Sequence, residues 1–299
     1  MKSTDVTYHK ATDTCESRNQ LNRQKPVLKV NDFLNPEELL NKMLAQVDTQ
    51  DIVKIAKDAG KAIMQVYNQN FDVEYKEDNS PLTLADKRSN DIIEQGLNNL
   101  TLNFPILSEE GRSILYRERK NWEYLWLVDP LDGTKEFIKK NDEFTVNIAL
   151  IYKDTPVLGV VFAPALNVCY WAKKGDGAFK DGQRLPLKIA DQRAAYKIVA
   201  SRSHMSDNTQ VFIDSIITSK KKELISIGSS LKICLVAEGE ADIYPRLGPT
   251  MEWDTGAAHA IVNESGKVLA KYIKTNTKEE LVYNKENLLN QWFIVKDKL

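Results

Sequence analysis

The chain has 299 residues with 41 basic and 42 acidic side chains, a formal charge of −1, which leaves room for two domains of roughly 150 residues or one large one. Its 42% apolar and 28% charged fractions belong to an ordinary globular protein, and the near-zero charge argues against a nucleic-acid binder working by backbone neutralisation. No apolar run approaches the roughly 18 residues of a spanning helix, and three cysteines (Cys15, Cys169, Cys234) and three histidines (His9, His204, His259) are too few and scattered for a disulfide framework or a zinc site.

Residues 1–48 read as an arm. Only 13 of the first 42 residues are apolar, with no sustained period, no signal-peptide core, and too many acids (Asp5, Asp13, Glu16) for a transit peptide. Poor order, an over-long start with Met43 as the true initiator, and a partner-binding role are the readings open to it. From Asp48 the signals strengthen. Ile52, Ile55, Ala56, Ala59, Ile63, Val66 and Tyr67 predict an amphipathic helix with Asp48 or Thr49 as N-cap. An extended stretch from Val73 to Lys76 leads to a turn at Asp78–Pro81, then a second helix from about Thr83 to Asn99. Short strands are expected at Phe104–Leu107, Tyr124–Val128, Phe144–Tyr152 and Val157–Phe162, with hairpin turns at 175–177 and 180–182.

After about Ala190 the rhythm becomes strand–helix alternation: a strand at Lys197–Ala200, a helix over 206–219, a strand at Glu223–Ile227, and helices over 229–238 and 253–263. This predicts an α+β first part, 49–190, and an α/β second part, 191–299.

The most informative segment is Asp129-Pro130-Leu131-Asp132-Gly133-Thr134. A buried strand delivers Asp129 to its end, Pro130 ends the ladder, and Asp132 follows across a turn. Two carboxylates and the Leu131 carbonyl facing one point are hard-oxygen donors suited to Mg²⁺. The amides beyond Gly133 and the Thr134 hydroxyl suit a phosphate. An Asx-turn whose acids only cap backbone groups competes on even terms for an isolated motif. Ser108-Glu109-Glu110 puts more acids at a strand end, Trp253-Asp254 puts one at a helix start, and Asp86 lies in the first turn of another helix. Taken singly these are solvated loop acids, an N-cap and a dipole-complementing acid. Their joint placement at strand ends and helix starts favours a site.

Asp129–Thr134, Ser108–Glu110 and Trp253-Asp254 resemble the three metal-binding motifs of the inositol monophosphatase superfamily of Mg²⁺-dependent phosphatases. The run Leu127–Phe137, with Asp78–Thr83 and Ser226–Lys232, is similar to the bacterial 3′(2′),5′-bisphosphate nucleotidase branch of sulfate assimilation. The resemblance covers about 43–299. It implies a layered α-β-α-β-α sandwich, with Glu109, Asp129, the Leu131 carbonyl, Asp132 and Asp254 holding two or three Mg²⁺ ions. In that pattern Glu110 supports the ligands from behind, and Asp86 and Thr134 orient and deprotonate the attacking water. Gly133, Thr134, His204, Ser229, Lys232, Arg246 and Asp254 would bind the substrate. Without the resemblance, Lys232 and Arg246 read equally well as surface cations and His204 as a loop histidine. Cys169, Cys234 and Trp171 read as core or near-core packing.

One departure stands out: Glu264-Ser265-Gly266-Lys267 replaces the usual Gly-Gly after the Trp-Asp helix. The implied activity is removal of the 3′-phosphate from adenosine 3′,5′-bisphosphate, with 3′-phosphoadenylyl sulfate as a second candidate substrate, sensitivity to lithium and a cytoplasmic address. Related bacterial enzymes are also described as loosely attached to the inner membrane. The competing readings are an inositol monophosphatase-like enzyme of broader range and a non-catalytic regulatory protein on the same fold. Oligomeric state is not legible.

Overall fold

The structure, a computed structural model, describes residues 35–70, 72–75, 81–188, 194–200, 206–273 and 279–298. It comprises two units, Met1–Asn41 and Lys42–Leu299. Helix α1 (Pro36–Leu44) lies within the expected arm, and every other described element lies within the larger unit.

Asp48 caps α2 (Thr49–Tyr67) by accepting from the Gln50 amide at 2.8 Å, and the seven apolar residues of the expected stripe all lie in its buried face, with Val53, Gly60 and Ala62. β1 (Val73–Tyr75) and β2 (Pro81–Thr83) pair antiparallel before α3 (Leu84–Asn98). The expected turn ahead of Pro81 lies outside the described residues. Then follow β3 (Ile106–Ser108), α4 (Tyr116–Arg119), β4 (Tyr124–Asp132), α5 (Thr134–Ile138), β5 (Thr145–Tyr152), β6 (Thr155–Ala163), β7 (Val168–Lys173), β8 (Gly177–Lys180) and β9 (Gln183–Arg184). Among the described residues these strands form a seven-stranded sheet in sequence order, with β3 and β4 parallel and all later pairs antiparallel.

The chain continues with β10 (Ala195–Ala200), α6 (Asp207–Ser215), β11 (Lys221–Ser226), α7 (Leu231–Ala237), β12 (Ile243–Arg246), α8 (Gly256–Glu264), β13 (Lys267–Lys271) and β14 (Phe293–Asp297). These strands form a five-stranded sheet of order β11-β10-β12-β14-β13. β10 is parallel to β11 and β12, while β14 runs antiparallel to β12 and β13, so the sheet is mixed.

The layers follow from alternation along the strands. Leu125 and Leu127 of β4 and Ala149 and Ile151 of β5 point into the central core shared with α7, α8 and β14. α2 and α3 cover the opposite face of the seven-stranded sheet. α6 lies on the far face of the second sheet, where Ile198, Ile213, Ile243 and Ile294 meet. The result is the expected α-β-α-β-α sandwich. Cys169 and Cys234 are buried, and Trp171 is half-buried against the Phe179 ring.

Three local expectations need correction. β4 does not end at Pro130; it runs through to Asp132, because a bulge accommodates a residue that has no N–H for the ladder. The helix expected over 206–219 stops at Ser215, where Ile216 turns extended. The helix expected from 253 starts at Gly256, leaving Asp254 in the preceding turn. The missing second glycine after α8 is harmless: Ser265 has φ −88°, and only Gly266, at φ +77°, takes the left-handed position.

Candidate active site

The site grows out of the bulge in β4. Asp129 pairs with Asn147 and Asp132 with Thr145, so three residues of β4 span two of β5. In a regular strand residues i and i+3 face opposite sides; the extra residue turns Asp129 and Asp132 to the same face. That face is the inner one, continuing the parity of Leu125 and Leu127. Gly133 then adopts φ +95°, which a side chain would disfavour, and starts α5. The Leu131 carbonyl accepts from the Thr134 hydroxyl at 3.3 Å.

β3 brings Glu109. It lies parallel to β4 with Ser108 opposite Val128, and the Glu109 amide donates to the Val128 carbonyl at 3.1 Å, setting Glu109 beside Asp129. Asp254 arrives from the other side of the central layer. Its turn reaches the sheet because α8 begins with Gly256, Ala257 and Ala258 and because Gly159 of β6 leaves room for the Ala257 backbone, which an added Cβ would strike. Carboxylate oxygens of Glu109, Asp129 and Asp254 thereby lie within 4.8 Å of one another.

Burial and mutual repulsion both disfavour the charged forms of these acids. Burial, and then the charges of Glu109, Asp132 and Asp254, push the Asp129 carboxyl well above the usual carboxylate range. Burial and Asp132 do the same to Asp254. Asp254 is not an N-cap: its Oδ2 accepts from the Met251 amide at 2.9 Å, while Thr255 occupies the cap position. Asp132 stands beside the trio rather than in it. Its Oδ2 accepts from Ser230 Oγ at 2.7 Å and from Asn147 Nδ2 at 3.3 Å.

Asp86 reaches in two directions from the first turn of α3. Its Oδ2 completes a capping box, accepting from the Thr83 amide at 2.7 Å and the Thr83 hydroxyl at 2.6 Å. Its Oδ1 lies 3.2 Å from the Thr134 hydroxyl, across the gap between α3 and α5. Ser89 of the same helix donates to the Pro130 carbonyl at 2.7 Å, pinning the bulge to α3.

A cavity of about 290 Å³ opens over the cluster. Glu109, Asp129, Leu131, Asp132, Gly133, Thr134 and Asp254 line its acidic wall; Ser229, Lys232, Tyr244 and Arg246 line the other. Burial lowers the pKa of the Lys232 ammonium, against the pull of Asp132, Glu136 and Asp254. The Arg246 guanidinium donates to the Pro249 carbonyl at 2.7 Å, and its buried Nε has no partner. Glu110 is half-buried and does not line the cavity, and His204 lies outside the described residues. Sequence reasoning missed Ser230, whose hydroxyl contacts Asp132 and the Asp254 carbonyl, and Asn147. Asn147 did leave a signal: it is the polar interruption of the buried run Thr145–Ile151.

The donors are all hard oxygens, two buried acids repel as they stand, and Leu131 lines the same cavity; such a set fits Mg²⁺. The family model described as the inositol monophosphatase family matches residues 43–292. The chain is 48% identical over 221 residues to the 3′(2′),5′-bisphosphate nucleotidase CysQ of Salmonella typhimurium, covering 73% of this chain and 87% of that one. It is 38% identical over 263 residues to the Haemophilus influenzae protein of the same name, covering 87% and 93%. Among solved structures, CysQ from Bacteroides thetaiotaomicron superposes with a TM-score of 0.75 at 44% identity, covering 84% of this chain and 97% of that one. An IMPase/NADP phosphatase complexed with Mg²⁺ and phosphate shares the fold at a TM-score of 0.68 and 21% identity, covering 86% and 92%. Motifs, layered fold, acid cluster and these matches agree: the chain belongs to the inositol monophosphatase family.

Proposed function

We propose that the protein is a Mg²⁺-dependent 3′(2′),5′-bisphosphate nucleotidase that removes the 3′-phosphate of adenosine 3′,5′-bisphosphate, with 3′-phosphoadenylyl sulfate as a second substrate. The observation that carries this reading is one cavity with two walls of opposite charge: the converging oxygens of Glu109, Asp129 and Asp254 on one side, Lys232 and Arg246 on the other. The nucleotidases to which the chain is 48% identical supply the substrate class.

Glu109, Asp129, Asp254, Asp132 and the Leu131 carbonyl would hold two or three Mg²⁺ ions. When bound, Mg²⁺ lowers the pKa of water, polarises the phosphoryl oxygens and stabilises the leaving ribose oxygen. The rest falls to the chain. The Thr134 hydroxyl donates to Asp86 Oδ1, which leaves its lone pairs free to accept from the attacking water. Asp86 then receives the proton through Thr134 while Thr83 holds its other oxygen in place. The backbone at Gly133 and Thr134 cradles the transferred phosphoryl group. Ser229, Lys232 and Arg246, with His204, hold the nucleotide and its 5′-phosphate, a dianion absent from inositol monophosphate.

In this reading the chain works in two halves divided near residue 190, with the acids of 49–190, joined by Asp254, facing the cations of 191–299, and residues 1–48 stand outside the catalytic machinery. The address is cytoplasmic; no described helix is long and apolar enough to cross a membrane. The test is a panel of adenosine 3′,5′-bisphosphate, 3′-phosphoadenylyl sulfate and inositol 1-phosphate with Mg²⁺ titrated from zero. The nucleotides are expected to be turned over far faster, with no turnover without metal and inhibition by lithium. Equal turnover of the inositol ester would overturn the assignment in favour of the broader phosphatase.

A further inference from the structure

Asp254 is the metal-site acid that comes from outside the seven-stranded sheet, and its turn is held from behind by a buried polar clasp. Glu252, two residues earlier, is fully buried, yet its side chain points away from the cavity wall. Its Oε2 accepts from the Asn284 amide at 2.6 Å; its Oε1 accepts from the Lys285 amide at 3.0 Å and from Lys285 Nζ at 2.5 Å. Asn284 and Arg119 exchange two bonds of 2.9 Å, Arg119 Nη1 to Asn284 Oδ1 and Asn284 Nδ2 to the Arg119 carbonyl. Arg119 ends α4, the helix that follows Glu109 in the chain, so the clasp ties the Asp254 turn to that helix.

The chain just beyond Lys285 grips the turn at further points. Asn290 Nδ2 donates to the Met251 carbonyl at 2.7 Å and to Thr255 Oγ1 at 3.0 Å, and the Glu252 amide donates to the Leu288 carbonyl at 3.0 Å. The Met251 amide in turn holds Asp254 Oδ2. A buried charge committed to backbone amides is a costly way to gain stability, since an apolar replacement of similar volume is commonly neutral or stabilising. It is an effective way to fix one carboxylate against three others that repel it.

We propose that Glu252, clasped by Asn284, Lys285 and Arg119, is a positioning residue that sets Asp254 for metal. This rests on the reading of Glu109, Asp129 and Asp254 as Mg²⁺ ligands. Glu252→Gln keeps the shape and removes the charge; Lys285→Met removes the ammonium and leaves the two amide bonds. Mg²⁺ affinity is measured on substrate-free protein by calorimetry, beside the Mg²⁺ dependence of turnover and circular dichroism. Glu252→Gln is expected to weaken Mg²⁺ binding about tenfold or more, Lys285→Met by a few-fold, with kcat largely recovered at saturating Mg²⁺. Should Glu252→Gln fail to fold, the Lys285→Met measurement decides alone. A folded variant of either kind that binds Mg²⁺ as tightly as the wild type overturns the proposal. Wild-type protein that binds no Mg²⁺ would instead overturn the metal reading on which it rests.

Discussion

The two walls of the cavity are built in opposite ways. The acidic wall is local: Asp129, Leu131, Asp132, Gly133 and Thr134 lie on six consecutive residues, and one bulge in β4 sets their facing. The cationic wall is assembled at a distance, from Ser229 and Lys232 around the start of α7 and Tyr244 and Arg246 on β12. Asp254 belongs chemically to the first wall and structurally to the second. A local motif survives small shifts of the fold around it; a wall made of separate elements depends on how closely the layers pack. On the proposed function, the acidic wall should tolerate such shifts, while metal completion and substrate choice should depend on the central layer.

The largest expected effect comes from breaking the acidic wall. Asp129→Asn should lower turnover about a thousandfold, because losing that charge removes several kcal/mol of transition-state stabilisation and each ~1.36 kcal/mol is a factor of ten. The metal-free variant should nevertheless melt at a higher temperature than metal-free wild type. The folded pKa of Asp129 is raised above 3.8, so its contribution to stability is complete below that pH and is lost as pH rises through the folded value. Melting of both proteins in chelator between pH 4 and pH 7 checks the sign: the wild type should lose stability relative to the variant as pH rises.

Breaking the contact between the layers should come next. Gly159→Ala forces a methyl group into the Ala257 backbone, with an expected cost of about 1–3 kcal/mol. As α8 recoils it should carry Asp254 away, so the Mg²⁺ concentration for half-maximal turnover should rise along with the fall in melting temperature. A variant that loses stability but keeps its metal requirement would show that Asp254 is positioned independently of α8.

Breaking the cationic wall should be selective. Lys232→Met should lower kcat/KM for adenosine 3′,5′-bisphosphate by about 10- to 100-fold, the worth of a charge-assisted hydrogen bond, and leave inositol 1-phosphate nearly unaffected. Equal losses on both esters would assign Lys232 to the acid cluster instead. The smallest effect is expected at Thr83→Ala, which removes the cap of α3 and one tether of Asp86; stability should fall by about 1 kcal/mol and turnover by a modest factor.

Legibility in the sequence follows the same division. The apolar stripe of α2 was readable because periodicity reports which face is buried. The acid motifs were legible because hard-oxygen donors cluster in short sequence patterns at strand ends and helix starts. The bulge was not, since a Pro in a strand reads as a terminator until the partner strand supplies its register. Ser230 and Asn147 were missed for a related reason. Each is an unremarkable polar residue until the fold brings it against Asp132.

By itself, then, the sequence pointed to the chemistry: which acids, in which order, beside which glycine and threonine, with cysteines and histidines too few and scattered to compete. Those properties are carried by residue type and short spacing. Only the tertiary structure decided that Asp132 leans on Ser230 and Asn147 while Glu109, Asp129 and Asp254 converge, and that a buried Glu252 stands behind the last of them. These are contacts between elements far apart in the chain, set by how closely two sheets and the helices between them can pack.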